Sequence, residues 1–518
     1  MHPPLETIML TGKPLSFASL AKIGAGRALP VMTQAGIERI NRARGVVEDQ
    51  LAHGASIYGA NTGVGAMKDV EWTPEMLQDF NLGLVRAHHF GTGEAFPVDV
   101  VRNAIAIRIN TALTGRVGCS LDLVEAFSDL LRTDCIPVVR RTGSIGCADI
   151  GLMGQVGAAL TGVGEAFYRG ERMPVTEAFE KAGLKPLSME PRDSLASFSL
   201  NAVGYASSAS ALHKAALAVR VLLATGLAVA GSLGASRAPW RSVVEVGTVA
   251  HAEIGSWLMR SAEAWPWAEA THIQDPLSLR MMPQVFGTAI ESLAIAGKTL
   301  LEATGRTDDN PVVIGNEVLT SGGSLPLDVT IYLQAAQISI AHVARNIYNR
   351  SVILANGGRR DLPVNLVPPG TVATGFGPLL KLAGDMFVRT LSLTAPISPQ
   401  ALVVAGGIED EAAFLPLVVE RFERQVRALR RMAGLEALLA AQAIDLTGDC
   451  PSGIAAYIYE IVRKHSAFYR KDRPISAEVE QIEEELGSDA TMAALIGQAP
   501  LSILDCFFAL APLSTASA

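Results

Sequence analysis

Apolar residues recur three or four positions apart over long stretches of the chain, as they do on the buried face of an α-helix. In the first of these stretches, Ile37, Ile40, Val47 and Leu51 follow this spacing. Strand-like alternation of apolar and polar residues is infrequent. The pattern therefore predicts a mainly α protein. Further helices are predicted over 99–114, 121–132, 150–168, 195–235, 285–304, 326–355, 376–394 and 411–445.

Connectors rich in glycine or proline separate the predicted helices, and loops held by a rigid scaffold are where function usually resides. We divide the chain into three parts on this basis. Residues 1–200 form an N-terminal part of helices and loops, 201–447 a central bundle of long helices, and 448–518 a set of peripheral C-terminal helices. The connectors lie at 58–65, 142–146, 274–287, 307–323 and 361–377.

The composition indicates that the chain hides an unusual share of its surface. Hydrophobic residues make up 49% and charged residues only 18% of its 518 positions. This excess must be covered in a large core or against copies of the same chain. A homo-oligomer is the simpler explanation.

Charge and cysteine usage exclude several classes of protein. The formal net charge is -8, and lysines and arginines are scattered, so no basic stripe for nucleic acid is present. The five cysteines are widely spaced without a CxxC pair, which argues against a disulfide framework or a metal site and favours the reducing cytoplasm. The apolar stretch Ala215–Ser236 contains Arg220 and three glycines, and is interpreted as a buried helix and not a membrane span.

The segment from Tyr58 to Gly65 is a candidate ligand loop. It reads Tyr-Gly-Ala-Asn-Thr-Gly-Val-Gly, and its three glycines suit a tight turn whose backbone approaches a ligand. The phenol of Tyr58 could serve as a general acid or base. A capped turn with a half-buried tyrosine explains the same residues equally well, so the octapeptide alone leaves both interpretations open.

Further motifs follow in order along the chain and, together with the Tyr58 loop, resemble the histidine, phenylalanine and tyrosine ammonia-lyase family over about residues 8–475. The segment Gln274–Gly287, which contains Ser278-Leu279-Arg280, is the most specific of them. The motifs are the Tyr58 loop, Leu84–Gly93, Arg102–Gly118, Gln274–Gly287, Asp308-Asp309-Asn310-Pro311, Ser321-Gly322-Gly323, Ile408-Glu409-Asp410 and Ala440–Leu446.

The resemblance implies a long helical bundle of the fumarase/aspartase-like type, assembled as a homotetramer whose active sites each combine three chains. It implies elimination of ammonia from an aromatic amino acid by a methylidene-imidazolone (MIO) ring, made from an internal Ala-Ser-Gly. Tyr58 would remove a proton, Arg280 would hold the carboxylate of a small-molecule substrate, and His88 would favour a polar ring. Further substrate-binding residues would be Gly65, Gln274, Asn201 and Glu409.

The ring-forming motif itself is altered. Where the family has GS[VI]GASGDL, this chain reads Gly143-Ser144-Ile145-Gly146-Cys147-Ala148-Asp149-Ile150, one residue shorter. Aligned from Asp149, the triad becomes Gly146-Cys147-Ala148. Ring closure needs a strained turn that glycine adopts most easily, and the Cβ of Ala148 opposes it, although a cysteine could lose hydrogen sulfide where serine loses water.

We therefore expect no MIO ring and no external cofactor. Cys147 is interpreted as a small buried residue at a helix start, in preference to a thiolate nucleophile. Other departures agree with this expectation. Leu277 and Ile408 replace a tyrosine and a glutamine of the family, Ser324-Leu325-Pro326 replaces its NFHG run, and Asn201 aligns with its asparagine only after a two-residue insertion.

Three hypotheses remain, and the sequence favours an enzyme. The first is an ammonia-lyase or aminomutase with an atypical MIO ring. The second is an enzyme of another reaction type on the same scaffold, which works without the ring through Tyr58 acid/base chemistry and an Arg280 anion clamp. The third is a non-catalytic lyase homologue.

Overall fold

The computed structural model of the protein describes residues 5–270 and 272–513. The outermost ends of the first and third predicted parts lie outside these residues. The chain divides into two compact units, each built from three separate stretches. The first unit comprises Met1–Ser210, Gly297–Ile331 and Pro396–Val419, and the second comprises Ala211–Ala296, Tyr332–Ala395 and Glu420–Ala518.

The three contiguous parts predicted from the sequence differ from these units. The predicted boundary near residue 200 lies close to the first unit boundary, at Ser210. The other boundaries differ because four long helices each continue from one unit into the other. At four of its five changes of unit the chain is therefore inside a helix, where no linker composition marks the change.

Helices dominate both units, which confirms the predicted mainly α fold. The α-helices are Phe17–Gly24, Gln34–Ala52, Pro74–Ala87, Val98–Ala112, Leu121–Thr133, Ile150–Leu160, Val175–Ala182, Asp193–Phe198, Ala202–Ser232, Ala238–Val246, Val249–Ala264, Leu277–Arg280, Met282–Ala303, Leu327–Asn356, Leu379–Ser392, Leu415–Thr447, Gly453–His465, Ser476–Leu486, Asp489–Gln498 and Ser502–Asp505. Short 3-10 turns are Gly65–Met67, Arg359–Asp361, Val364–Leu366 and Ala405–Gly407.

The described strands are short and all belong to the first unit. Glu6–Leu10 pairs in parallel with Ala28–Met32. The remaining pairs are antiparallel: Thr92–Ala95 with Arg140–Thr142, Glu165–Tyr168 with both Cys135–Pro137 and Glu171–Pro174, and Val312–Ile314 with Glu317–Leu319.

Two predicted helices were too long. The helix predicted over 150–168 ends at Leu160, because Gly162 and Gly164 take left-handed backbone conformations and the chain then enters the strand Glu165–Tyr168. The helix predicted over 195–235 is interrupted between Phe198 and Ala202. This interruption contains Asn201, a candidate site residue.

A buried ion-pair cluster fixes the first unit around the Asp-Asp-Asn-Pro motif. Asp309 is fully buried and binds the guanidinium groups of Arg108, at 2.8 Å, and Arg192, at 3.1 Å. Arg108 lies on the helix Val98–Ala112, which is buried over nearly its whole length. Removal of one partner would leave a buried charge uncompensated, so these ion pairs strongly favour the observed path of the chain at Asp309.

The second unit has a helical core that contains most of the long apolar segment. The region 193–232 is long and apolar enough to cross a membrane by length and composition, but 94% of its most apolar window is buried inside the protein. Within this unit, Glu436 accepts hydrogen bonds from Arg350, at 2.7 Å, and Thr225, at 2.6 Å. Ala215–Ser236 is thus a core segment, as predicted.

Candidate active site

Four loops of the first unit meet around the altered triad. They are the Tyr58 loop, 144–149, 321–326 and 405–415. A Cβ atom on Gly65 would lie 3.5 Å from the Cβ of Ala405, so the first and last of these loops are in contact. The Ile145 carbonyl accepts a hydrogen bond from the Phe414 amide at 2.9 Å, which joins 144–149 to 405–415.

The Tyr58 loop turns its phenol back onto its own backbone. The phenolic oxygen accepts a hydrogen bond from the Gly65 amide at 2.9 Å. Gly65 has a φ of +56°, and a Cβ on Gly63 would lie 2.2 Å from the Met67 carbonyl oxygen, so the glycines are required for this tight path. The two predicted residues Tyr58 and Gly65 are therefore brought together directly.

Asp149 and Ser144 brace the altered triad. The Ser144 hydroxyl donates to Asp149 Oδ1 at 2.8 Å and accepts from the Gly146 amide at 3.0 Å. Asp149 Oδ2 accepts from the Gly204 amide at 2.7 Å. The pKa of this fully buried carboxyl is raised to about 6 by burial.

Gly146 and Ala148 explain why the triad tolerates little change. A Cβ on Gly146 would lie 2.5 Å from the backbone nitrogen of Leu415, so a larger residue does not fit. Ala148 and Asp149 both have left-handed backbone conformations, with φ of +59° and +46°. Such a conformation costs about 1–2 kcal/mol for a residue with a Cβ atom, so the surrounding contacts hold the turn in place.

Ser324 is the contact that closes this turn. Its carbonyl accepts hydrogen bonds from the Ala148 amide at 2.9 Å and from Asn201 Nδ2 at 2.8 Å. Its hydroxyl lies 3.5 Å from the Cys147 sulfur. Ser324 begins the segment that replaces the NFHG run, and sequence reasoning noted only the replacement without assigning it this role.

Three carboxylates create a negative environment at Cys147. Burial raises the pKa of its thiol most, the Ser324 hydrogen bond lowers it to a smaller extent, and Glu409, Asp149 and Asp308 each raise it by less than that. Burial also raises the pKa of Glu409. This environment favours the neutral thiol over the thiolate, consistent with the preferred interpretation of Cys147.

The same charges act on the Tyr58 phenol. Its pKa is raised by burial and, to smaller extents, by Glu409 and Cys147, while the Gly65 amide and Arg192 act in the opposite direction. Tyr58, Glu409 and Cys147 thus lie within electrostatic range of one another. A positive charge bound among them would favour the phenolate.

His88 is held in a defined tautomer. Its Nδ1 donates to the Leu84 carbonyl at 2.8 Å, and its ring stacks on Phe198 with the centroids 4.4 Å apart. Burial lowers the pKa of His88, so the ring is neutral near pH 7. Because Nδ1 carries the proton, Nε2 is a hydrogen-bond acceptor, which suits a ligand ring with an N–H or O–H group.

Arg280 and Gln274 belong to the second unit. Arg280 ends the short helix Leu277–Arg280, and its buried Nε has no hydrogen-bond partner among the residues described. Gln274 is exposed, whereas the adjacent Asp275 is buried in an ion pair with Arg359. Arg280 therefore retains donor capacity for an acidic ligand. Of the adjacent pair Gln274-Asp275, the aspartate has the structural role.

Gln442, which is retained from the family pattern, also has a structural role. Its Nε2 donates to the Tyr469 carbonyl, and its Oε1 accepts from the Tyr469 amide, each at 3.0 Å.

Within the described residues, no group of three or more potential metal ligands occurs.

Comparison with known proteins identifies the family. The sequence model of the aromatic amino acid lyases matches residues 15–464. A histidine ammonia-lyase from Myxococcus xanthus is 27% identical over 505 residues, which cover 94% of this chain and 98% of that relative.

Solved structures agree in fold. An ergothioneine-degrading enzyme, ergothionase from Treponema denticola, is 29% identical with a TM-score of 0.88, covering 93% of this chain and 98% of the other. Histidine ammonia-lyase from Trypanosoma cruzi is 21% identical with a TM-score of 0.87, covering 99% of both chains. The chain belongs to the aromatic amino acid lyase family and has the fold of its enzymes.

Proposed function

We propose that this protein is a lyase that works without an MIO ring and eliminates a trimethylammonium group from an imidazole-bearing betaine such as ergothioneine. The observation that carries the proposal is the triad Gly146-Cys147-Ala148, in which the serine and the glycine of the ring-forming motif are both absent. The likeness to an ergothioneine-degrading enzyme supports it.

The residues at the triad do not fit an MIO ring. Ring closure requires the amide nitrogen of the third residue to attack the carbonyl of the first, but the Ala148 amide donates to the Ser324 carbonyl at 2.9 Å. The third residue also carries a Cβ in a left-handed turn. The second residue is a thiol whose pKa is raised. We therefore derive no step of the reaction through such a ring.

The leaving group decides whether an electrophile is needed. A primary amine leaves carbon poorly unless it is activated. Ergothioneine is the trimethylbetaine of a 2-thiolated histidine, and its quaternary nitrogen leaves as neutral trimethylamine without activation. A family member without the ring therefore fits a substrate whose nitrogen is already quaternary.

Tyr58 is the group that would accept the proton. Its phenolate takes a proton from the β-carbon, the electrons of that C–H bond form the double bond between the α- and β-carbons, and the α-carbon–nitrogen bond breaks. The products are an unsaturated carboxylate, trimethylamine and a protonated Tyr58, which returns its proton to solvent. The substrate's cation beside Tyr58 lowers the pKa of the phenol, which burial otherwise raises.

Glu409, His88 and Arg280 account for the other parts of such a substrate. The negative charges around Cys147, including Glu409, favour a cationic head group. His88 Nε2 accepts a hydrogen bond from the imidazole ring. The family resemblance assigns the carboxylate to Arg280, whose planar guanidinium suits an acidic group.

The test of this function is a comparison of two substrates with the purified protein. Ergothioneine should release trimethylamine, with the appearance of a conjugated product in the near ultraviolet, while histidine should release no ammonia above background. Release of ammonia from histidine at a comparable rate would instead support a histidine ammonia-lyase with an atypical ring. Turnover of neither substrate would contradict the proposal.

Replacing Arg280 with lysine should raise KM for the betaine by roughly 10-fold or more, because lysine keeps the charge but loses the two parallel hydrogen bonds of the guanidinium. The measurement is steady-state kinetics at constant ionic strength. Arg260→Lys, on the helix Val249–Ala264 of the same unit, is the matched control. An unchanged KM for Arg280→Lys would show that this arginine does not bind the carboxylate.

A cytoplasmic homotetramer is part of the same proposal. Large apolar side chains remain exposed on helices of the second unit, among them Ile295, Ile338, Val388 and Leu391. Exposed apolar side chains on long helices are often covered by a partner chain, and identical copies are the commonest partners. The family resemblance favours four chains, with residues of different chains completing each active site.

A further inference from the structure

Asp308 lies at the centre of the hydrogen bonds that hold the altered triad. Its side chain is only 2% exposed. Its Oδ2 accepts hydrogen bonds from Asn201 Nδ2 and from the Tyr205 hydroxyl, both at 2.7 Å, and from the Asn201 amide at 3.3 Å. Its second oxygen, Oδ1, is buried and has no donor among the described residues.

Asn201 also has a buried side-chain oxygen without a hydrogen-bond donor among the described residues. Its Nδ2 group is used twice, by Asp308 and by the Ser324 carbonyl, whereas its Oδ1 is buried without a donor in the described part of the chain. A buried oxygen without a donor costs about 1–3 kcal/mol. The two oxygens together mark a place where a positively polarised group would be stabilised.

The charges around Asp308 lead to the same conclusion. Asp149 and Asp308 each raise the pKa of the Cys147 thiol, so the triad lies in a negative potential. The cation facing Asp308 is Arg306, whose guanidinium is already held by both oxygens of Asp328, at 2.7 and 2.9 Å. Its hydrogen-bond donors, Tyr205 and Asn201, are uncharged, and the Asp149 carboxylate adds a second negative charge nearby.

We infer that Asp308 is a positioning residue that makes the turn at Cys147 a binding site for the cationic head group of the substrate. It acts in two ways. Through Asn201 it fixes the Ser324 carbonyl, which in turn holds the Ala148 amide. Through its charge it stabilises a cation near the Cys147 thiol.

The inference rests on the proposed function and extends it to the residue that recognises the leaving group. N-methyl groups of a quaternary ammonium are weakly polarised C–H donors, which can approach oxygens that no N–H group satisfies. No step of the elimination passes through Asp308 itself.

A pH dependence follows from the same geometry. Burial raises the pKa of Asp308 to about 6, although Asn201, Tyr205 and Arg306 act in the opposite direction. Below about pH 6 the carboxyl of the free protein takes up a proton and its charge is lost. Affinity for a cation should therefore fall as the pH drops through 6, and a bound cation should shift this fall to lower pH.

The test uses tetramethylammonium chloride as the probe, with binding measured by calorimetry between about pH 5 and 8 at constant ionic strength. Asp308→Asn keeps the size of the side chain and an acceptor for Asn201 and Tyr205, but removes the charge. We expect roughly 10-fold weaker binding at pH 7.5 and a smaller decrease in affinity below pH 6. Part of the decrease remains because the pKa of the Asp149 carboxyl is also raised to about 6 by burial. For the betaine, KM should rise while kcat changes by less than about 3-fold.

Two further variants distinguish the loss of the Asp308 charge from a purely structural effect of the substitution. Asp308→Glu keeps the charge and should retain the pH dependence, even if its longer side chain weakens binding. Asp129→Asn removes a carboxylate on the helix Leu121–Thr133, paired with Arg132, and should bind the probe like the unaltered protein.

The outcomes separate this inference from the reaction itself. Equal affinity of the unaltered protein and Asp308→Asn for tetramethylammonium, or an undiminished pH dependence in the variant, would overturn the role of Asp308. The probe could bind in a manner that depends on Asp308 while ergothioneine releases no trimethylamine. That result would support the cation-binding site and contradict only the proposed elimination.

Discussion

Tyr58→Phe is expected to lower kcat for betaine elimination by roughly 10²–10⁴-fold, the usual contribution of a positioned general base. The change removes the phenolic oxygen and leaves the ring. It also leaves the Gly65 amide without its acceptor, which should cost about 0.5–1.5 kcal/mol of stability. The kinetic loss is therefore expected to be far larger than any effect on folding.

The pH profile gives a second signature of Tyr58. Because burial, Glu409 and Cys147 raise the pKa of the phenol, the free protein holds it protonated at neutral pH. Proton abstraction requires the phenolate, so kcat/KM of the unaltered enzyme should increase with pH into the alkaline range. This increase should be absent from the residual activity of Tyr58→Phe.

Tyr168→Phe is the matched control for this measurement. Tyr168 lies on the strand Glu165–Tyr168, and its hydroxyl donates to the Lys181 carbonyl at 3.2 Å, outside the four loops of the site. It should retain full activity and the alkaline increase. If Tyr58→Phe kept more than about a tenth of the rate with an unchanged pH profile, another group would be the base.

The fold could be predicted from the sequence wherever one periodic pattern continued without interruption. The predicted helix over 326–355 corresponds to Leu327–Asn356, and that over 411–445 to Leu415–Thr447. Errors arose where a backbone requirement outweighed the hydrophobic pattern, as at Gly162 and Gly164, which end a helix although apolar residues continue beyond them.

Only those site residues that belong to recognisable sequence motifs could be predicted. Tyr58, His88, Glu409 and the triad were found as motif residues, and the family match supports the alignment on which they rest. Their roles in binding and catalysis remain predictions. The bracing contacts were not predicted, because Ser324 meets Ala148 across more than 170 residues of sequence and no local pattern marks such a pair.

Asp308 shows most clearly what sequence reasoning alone left out. It was noticed as one letter of the Asp-Asp-Asn-Pro motif, with no distinction from Asp309. In the structure Asp309 forms ion pairs with two buried arginines, while Asp308 binds Asn201 and Tyr205 and keeps one oxygen without a donor among the described residues. Two adjacent aspartates thus have different tasks, and only the identity of their partners reveals it.

The intact mass of the purified protein is expected to equal that of its unmodified sequence. Formation of an MIO ring from Gly146-Cys147-Ala148 would remove one water and then one hydrogen sulfide, and would consume the thiol of Cys147. The shortened loop, the Cβ of Ala148 and the hydrogen bond from the Ala148 amide to Ser324 all oppose that closure. Leu277 and Ile408 stand where the family has a tyrosine and a glutamine, which agrees with loss of the ring.

Peptide mapping makes the measurement specific to the site. After denaturation, a thiol reagent should label Cys147 as completely as Cys119, a buried cysteine of the same unit and the internal control. The native protein should also lack the near-ultraviolet absorbance of the ring. A mass lower by one water and one hydrogen sulfide, located in the peptide that contains Cys147, would falsify the ring-free mechanism. It would make activated loss of ammonia the reaction to test, because a primary amine would then have the electrophile it needs.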